Sequence, residues 1–172
     1  MRKLRFTVAL CASTLSFGAL AVALISWGSE DDSGGDSATA LQGYFAQMSE
    51  IHDVSDQQFE ESVFGMEQES AKSYAEAFDA VLAMMEAEYE AVDPPGAVEK
   101  EHETLIVMIK EYRLGVDHGL RPLAFDAPAS EFEDLFDDVL ADEDLRVTGA
   151  FCAIQEVATA QEIAADVGCQ RT

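Results

Sequence analysis

Apolar residues recur every three or four positions along the chain from Ala38 onward, and this spacing predicts amphipathic helices. Almost no segment alternates apolar and polar residues as a half-buried strand does. The stripes therefore predict an all-α fold, an antiparallel up-and-down helical bundle of about four main helices plus a short one, after an N-terminal hydrophobic segment. Members of successive stripes are Leu41, Met48, Phe78, Leu105, Ile109 and Ile154.

The first helical region contains one internal start signal. Ser55-x-x-Gln58 is a capping-box pattern, and it predicts a break or kink at Ser55. The apolar stripe nevertheless continues through Phe59 to Met66, which leaves a single long helix as the alternative. Whether residues 38–92 form one kinked helix or two stays open on the sequence.

Three further signals mark later helix boundaries. Because Asp is a good N-cap and Pro is favoured in the first helical turn, Asp93-Pro94-Pro95 predicts the end of one helix, the start of the next and a tight hairpin between them. Ser130-x-x-Glu133 is a second capping-box pattern. Asp142 is predicted to cap the last helix, since an apolar stripe follows it.

The front of the chain has the layout of an export signal. Three basic residues stand among the first five positions, and an uncharged, mostly apolar run extends from Phe6 to Gly28. At about 1.5 Å per helical residue the run reaches roughly 34 Å, enough to span a bilayer core of about 30 Å. A cleaved signal peptide and a retained signal-anchor helix are both compatible with this pattern.

Composition divides the chain into three parts. Residues 1–28 are predicted to be the signal peptide or signal-anchor transmembrane helix, and residues 29–37 a flexible acidic Ser/Gly linker. Residues 38–172 are predicted to form one extracytoplasmic helical-bundle domain. The predicted location is the outer face of the cytoplasmic membrane if the front segment is retained. It is secreted or periplasmic if that segment is cleaved.

The charge of the chain restricts its partners. Thirty-four acidic residues and ten lysines and arginines give a formal net charge of −24. A field of this sign repels phosphate, so a nucleic-acid partner is not expected. It also opposes docking on anionic lipid head groups, so membrane contact is predicted through the N-terminal segment only.

The cysteines predict one disulfide. Cys11 lies inside the apolar run, which leaves Cys152 and Cys169 in the predicted exported domain. Two cysteines in an oxidising compartment indicate a disulfide, and their long spacing differs from a redox-active Cys-x-x-Cys pair. For the chain to return to Cys152, a helix through that residue must end by roughly residue 164.

One motif suggests metal chemistry. Glu99-x-x-His102 has the spacing that di-iron bundles use, but such bundles need a second motif, and no acid stands three positions before His52 or His118. His102 falls on an apolar stripe, which predicts a core histidine close to a helix start. The alternative is a zinc, copper or iron site in which His52 and His102 meet, with Glu99 or Glu50 completing the ligands.

The layout resembles that of small uncharacterised exported helical-bundle proteins of bacterial envelopes. The features in common are an export signal, a Ser/Gly/Asp tether, a helical hairpin turning at Pro94-Pro95, His102, and the pair Cys152 and Cys169. The resemblance covers most of residues 38–169 and implies a helical bundle and an envelope location. Many members of that group look like lipoproteins, whereas this chain has no lipobox. The group implies no activity, because none is established for it.

Functional prediction from the sequence is limited to broad classes. No phosphate-binding loop, zinc-protease motif, nucleophile elbow or haem motif is present, so no catalytic residue and no cofactor are predicted. The favoured hypothesis is a non-enzymatic binding or interaction module with a protein partner at the cell envelope. The alternative hypothesis is a metal-binding bundle that uses His52, Glu99 and His102.

Overall fold

The chain folds into helices throughout the part that its structure, a computed structural model, describes, which is residues 35–65 and 68–169. No strand occurs among these residues, which confirms the all-α class. No described helix is long and apolar enough to cross a membrane, and the predicted signal or anchor segment lies outside the described residues. The helices are α1 (Gly35–Phe59), α2 (Ala71–Glu90), α3 (Glu99–Gly115), α4 (Arg121–Ala124) and α5 (Phe132–Ala160).

The first helix is longer than predicted at both ends. It begins at Gly35, inside the predicted linker 29–37. It also runs through Ser55, so the predicted cap at Ser55 is wrong. The Ser55 hydroxyl is buried and donates to the Ile51 carbonyl at 2.7 Å, which satisfies it inside the helix. The helix continues into a π-helical turn, Glu60–Phe64.

The break between the first two helices lies after this π-helical turn. Helix α2 begins at Ala71, and Ser70 is its N-cap, because the Ser70 hydroxyl accepts a hydrogen bond from the Ser73 amide at 3.2 Å. The described residues of 38–92 therefore form two helices. A serine does cap the second one, but it lies later in the chain than the predicted Ser55.

The Pro-Pro turn ends α2 but does not start α3. Asp93-Pro94-Pro95 lies in the connection, and α3 begins only at Glu99, so the prediction that Asp93 caps α3 is wrong. The turn is closed instead by backbone, since the Val98 amide donates to the Pro95 carbonyl at 2.9 Å. Val98 itself is fully buried, so its side chain fixes the entry of the chain into α3.

The predicted caps of the last helix are also wrong. Ser130 lies in a 3₁₀ turn, Ala129–Glu131, and makes no capping hydrogen bond. Asp142 lies inside α5, which runs unbroken to Ala160. The short helix of the fold is α4, which follows another π-helical turn, Val116–Leu120.

The core is built around contacts between α2, α3 and α5. Helix α3 packs most extensively against α5, and α2 contacts both α1 and α3. The ring of Phe78 on α2 lies 5.7 Å from that of Tyr112 and 5.1 Å from that of Phe136. These edge-on aromatic pairs join three helices at one point, and each adds about 0.5–1.5 kcal/mol beyond its buried area.

Two glycines allow α5 to approach the end of α3 closely. A Cβ atom at Gly115 would lie 2.9 Å from a Leu140 methyl carbon, and one at Gly119 would lie 2.6 Å from a Val139 methyl carbon. Because atoms cannot approach this closely, a larger residue at either position would force the Leu140 or Val139 side chain to move. The G-x-x-x-G spacing in Gly115–Gly119 is thus a packing feature of this bundle.

An ion-pair cluster ties α2 to the region around α4. Asp79 on α2 accepts hydrogen bonds from Arg113 at 3.3 Å and from Arg121 at 2.7 Å. Arg113 also donates to Glu86, and Arg121 donates to Asp117 at 2.9 Å. Hydrogen bonding to Glu86 raises the pKa of the Arg113 guanidinium, which therefore stays charged.

Candidate functional site

His102 is buried at the junction of three helices. Only 4% of its surface is exposed, and both ring nitrogens have a partner. Its Nε2 lies 3.0 Å from the Tyr89 carbonyl oxygen on α2, and its Nδ1 lies 3.1 Å from the Tyr44 hydroxyl on α1. Because a carbonyl only accepts, Nε2–H donates to Tyr89, and Nδ1 accepts from Tyr44. The neutral ring is thus fully hydrogen-bonded.

Burial keeps this ring in its neutral form. Desolvation lowers the pKa of the His102 imidazole, although the hydrogen bond to the Tyr89 carbonyl and the charge of Glu103 act in the opposite direction. Burial, helped by the charge of Glu101, raises the pKa of the Tyr44 hydroxyl well above its ordinary value. The Tyr44 proton therefore remains available for donation to His102.

His52 lies on α1 and is partly buried under the C-terminal segment. Its Nε2 is 3.5 Å from the Asp56 carboxylate, one turn further along the helix. Its ring lies 6.3 Å from the ring of Phe151 on α5. The backbone of Gly168 covers the ring so closely that a Cβ at that position would meet it at 2.7 Å.

The proposed metal ligands do not form a cluster. Among residues 35–65 and 68–169 there is no group of three or more His, Cys, Asp or Glu side chains that could hold a metal ion. Glu99 is exposed in the first turn of α3, and both nitrogens of His102 are already engaged. The geometry therefore gives the site of His52, Glu99 and His102 no support.

Metal binding at these residues stays a hypothesis with a direct test. A ligand that binds only the folded state raises the melting temperature. A rise on adding zinc to chelator-treated protein, lost in His102→Ala, is the result that would support it. His118 is a weak candidate as a ligand, because 75% of its side chain is exposed and its Nδ1 lies 3.7 Å from the Asp117 carboxylate.

Tyr89 holds a buried hydroxyl that sequence reasoning missed. The residue is fully buried, and its hydroxyl has no hydrogen-bond partner among the described residues. Burial raises the pKa of this hydroxyl well above its ordinary value, and the charge of Asp56 adds to the effect. Tyr89 therefore contributes to the junction in two other ways. Its backbone carbonyl accepts a hydrogen bond from His102, and its ring packs 5.6 Å from that of Phe151.

The C-terminal segment Gln161–Cys169, called the strap below, folds back along α5. Alternate residues of the strap face the core, namely Ile163, Ala165 and Val167, and Val167 is fully buried. The Cys152 and Cys169 sulfurs are 2.03 Å apart, which is disulfide distance and agrees with the predicted pairing. Helix α5 ends at Ala160, before the limit of about residue 164 that the sequence set.

One glutamine side chain holds the strap by its backbone. The Gln155 amide nitrogen donates to the Ala165 carbonyl at 2.7 Å, and its amide oxygen accepts from the Val167 amide at 3.1 Å. Gly168 has a φ of +89°, a conformation that favours glycine, and this turn brings the chain to both Cys169 and His52. In the sequence, Val167-Gly168 just before Cys169 is the pattern that indicates this turn.

The outer side of α3 carries a shallow, open groove lined by residues of this helix alone. Val107 lies in the groove and is 48% exposed, and Leu114, two turns further along, is 56% exposed. Residues seven positions apart share one helix face. We call this surface the α3 outer face, and it consists of Lys100, Glu103, Thr104, Val107, Met108 and Leu114.

Four other large apolar side chains are exposed among the described residues, namely Val54, Leu123, Phe125 and Leu145. Leu145 on α5 is 64% exposed. Phe125, in the connection after α4, is exposed as well, and the Lys72 ammonium lies 4.8 Å above its ring. Single exposed apolar residues are normal on a protein surface. Leu145 therefore serves as a reference for the α3 outer face.

Comparison with protein-family models, with curated proteins and with solved structures finds no match to this chain. The resemblance to small exported bundle proteins of bacterial envelopes therefore stays a prediction.

Proposed function

We propose that this protein is a non-enzymatic interaction module of the cell envelope that binds a basic amphipathic helix of a partner protein on its α3 outer face. The proposal includes attachment to the membrane through residues 1–28. The observation that carries it is the pair of exposed apolar side chains, Val107 and Leu114, on one face beside an open groove.

The spacing of these side chains suits a helical partner. An amphipathic helix presents apolar side chains at every third or fourth position, and these can pack against apolar side chains on one face of α3. Val107 and Met108 supply the apolar part of the groove lining, and Leu114 lies two turns further along, beyond Lys110 and Glu111. Burying one such side chain contributes about 1.5–3 kcal/mol.

Charge favours a basic partner. The groove lining itself carries one charge of each sign, Glu103 and Lys100, but the chain as a whole has a net charge of −24. Complementary charge accelerates the encounter of two proteins and excludes partners of the same sign. A helix with lysine or arginine beside its apolar stripe meets both requirements.

The bundle is proposed to be antiparallel, as the sequence predicts, and the contacts of α3 with α5 support this. Glu111 pairs with Arg146, and the Tyr112 hydroxyl donates to Asp144 at 3.2 Å. Further along α3, Gly115 lies against Leu140. Increasing positions on α3 thus meet decreasing positions on α5. In such an arrangement the outer side of α3 faces away from the bundle core.

The test uses a synthetic peptide as a model partner. A fluorescent helical peptide of lysine and leucine repeats is titrated with the full chain, and its anisotropy is recorded. We expect saturable binding that weakens about tenfold in Val107→Asp and more in Val107→Asp/Leu114→Asp, because each change places a charge in the apolar contact.

Two controls separate the groove from general charge attraction. Leu145→Asp removes a still more exposed apolar residue, at 64%, that is not part of the α3 outer face, so binding should be unchanged. A scrambled peptide of the same composition keeps the charge but loses the apolar stripe. Equal binding of both peptides, or equal loss with Leu145→Asp, would rule out the α3 outer face as the binding site.

A further inference from the structure

We propose that the strap is a redox-controlled cover. The Cys152–Cys169 disulfide holds it across the edge of α1. Reduction of this disulfide by a dithiol releases the strap and uncovers His52. The inference does not depend on the α3 outer face. It rests on how the strap is attached, on what it covers and on the charges that face it.

The disulfide is the strongest of the strap's attachments. The others are the two hydrogen bonds of the Gln155 amide, the core packing of Ile163, Ala165 and Val167, and the backbone hydrogen bonds of residues 161–163 to the last turn of α5. Outward-facing residues of the strap, such as Glu162 and Asp166, are exposed and add no packing. Holding the residues after Ile163 in one conformation has an entropy cost, and once the covalent bond is gone only the Gln155 hydrogen bonds and the packing of Ala165 and Val167 offset it.

Charge favours departure of the strap residues after Ile163 once the disulfide is broken. Asp166 on the strap acts on Asp56 of α1 with a charge of the same sign, and this repulsion helps to raise the pKa of Asp56, after the larger effect of burial. Release relieves this repulsion.

The disulfide is accessible to a reductant, because Cys152 and Cys169 are only half-buried. A thiolate of the dithiol attacks one sulfur of the disulfide, and the other sulfur leaves as a thiolate. The second thiol of the reductant then displaces the first cysteine. Two electrons and two protons pass to the two cysteines, and the dithiol becomes a cyclic disulfide.

The three histidines of the chain provide a test with internal controls. The full chain is treated with diethyl pyrocarbonate, which modifies accessible imidazoles, and each histidine is followed by peptide mass spectrometry. Three samples are compared: the oxidised chain, the chain reduced with dithiothreitol and then freed of it, and Cys152→Ser/Cys169→Ser. We expect the rate of modification of His52 to rise by about tenfold or more in the second and third samples.

His118 and His102 calibrate the result. His118 is exposed and should react rapidly in all samples, whereas His102 is buried under α1 and α2 and should stay protected. Protection of His52 in the reduced and double-serine chains would overturn the proposal, because the strap would then stay in place without its bond. A parallel rise at His102 would also overturn it, because reduction would then unfold the bundle rather than open a cover.

Discussion

At the residue scale, His102 illustrates which part of a side chain's role a sequence can predict. Its place on the apolar stripe of α3 predicted burial correctly. Its partners could not be predicted, because Tyr44 and Tyr89 lie 58 and 13 positions away in sequence. Hydrogen bonds over such separations depend on how helices pack, and periodicity within one helix carries no information about that.

Two tyrosines at this junction should respond in opposite ways to the same change. Tyr44→Phe removes the donor to His102 Nδ1 and leaves a buried acceptor unpaired, so we expect the free energy of unfolding to fall by about 1–2 kcal/mol. Tyr89→Phe removes a hydroxyl without a described partner, so stability should be unchanged or slightly higher. Urea unfolding of both variants measures the difference, and equal losses would contradict the geometry.

The neutral state of His102 predicts a pH dependence. Its pKa is lower in the folded state than its ordinary value of about 6.5, so the folded chain binds fewer protons at this site than the unfolded chain. The stability that depends on the neutral ring is therefore present above about pH 6.5 and is lost as the pH falls below it.

A pair of variants separates the effect of protonating His102 from the effect of protonating the many carboxylates. The stability difference between the native chain and His102→Gln should shrink as the pH falls from about 7.5 to about 5, because the variant has no ring to protonate. His118→Gln, which changes an exposed histidine, is measured beside it as the control. If the stability difference between the native chain and His102→Gln does not change with pH, protonation of the buried ring is not coupled to unfolding.

At the element scale, the sequence located helices better than it located their ends. The apolar stripes correspond to α1, α2, α3 and α5, but the predicted caps at Ser55, Asp93 and Asp142 are wrong. A capping motif contributes only about 1 kcal/mol, so burial of an apolar stripe that continues past it decides the outcome. The disulfide and the early end of α5 were predictable. A covalent bond between Cys152 and Cys169 limits how far a helix through Cys152 can extend before the chain must turn back.

The glycine that ends the first π-helical turn provides a prediction at this scale. A Cβ atom at Gly65 would lie 2.4 Å from the Glu60 carbonyl oxygen, and a backbone atom cannot move aside cheaply. We expect Gly65→Ala to lower the free energy of unfolding by about 1–3 kcal/mol. Thermal or urea unfolding measures this.

Gly43, inside α1, is the matched control. A Cβ at this position has nothing within 4 Å, so Gly43→Ala should follow helix propensity alone. That change stabilises an ordinary helix by about 0.5–1 kcal/mol. We expect the two variants to change the free energy of unfolding in opposite directions. A stabilising Gly65→Ala would mean that Gly65 does not lie against the Glu60 carbonyl oxygen.

At the scale of the whole molecule, net charge dominates. The described helices contain six lysines and arginines, and five of them lie within ion-pair distance of a carboxylate. Most of the acids therefore repel one another across the surface. The sequence predicted this excess and the all-α class, but it could not predict which acids the few cations would engage, since that depends on packing between helices.

Self-repulsion predicts that salt stabilises the fold. Sodium chloride at about 0.15 M reduces the screening length to about 8 Å, which weakens repulsion between distant surface acids more than it weakens close ion pairs. We expect the melting temperature to rise between low salt and about 0.5 M. Calorimetry at constant pH measures the shift, and a falling melting temperature would indicate that the ion pairs contribute more than the repulsion costs.

The ion-pair cluster at Asp79 gives the molecule an unequal tolerance to substitution. Exchanging one surface carboxylate for an amide removes one of many like charges. Such a substitution should hardly change the free energy of unfolding. Losing Arg113 or Arg121 leaves Asp79 partly buried with half its partners, in a chain that has few cations to replace them. Neutral variation in this protein should therefore accumulate at acidic positions and spare the arginines of this cluster.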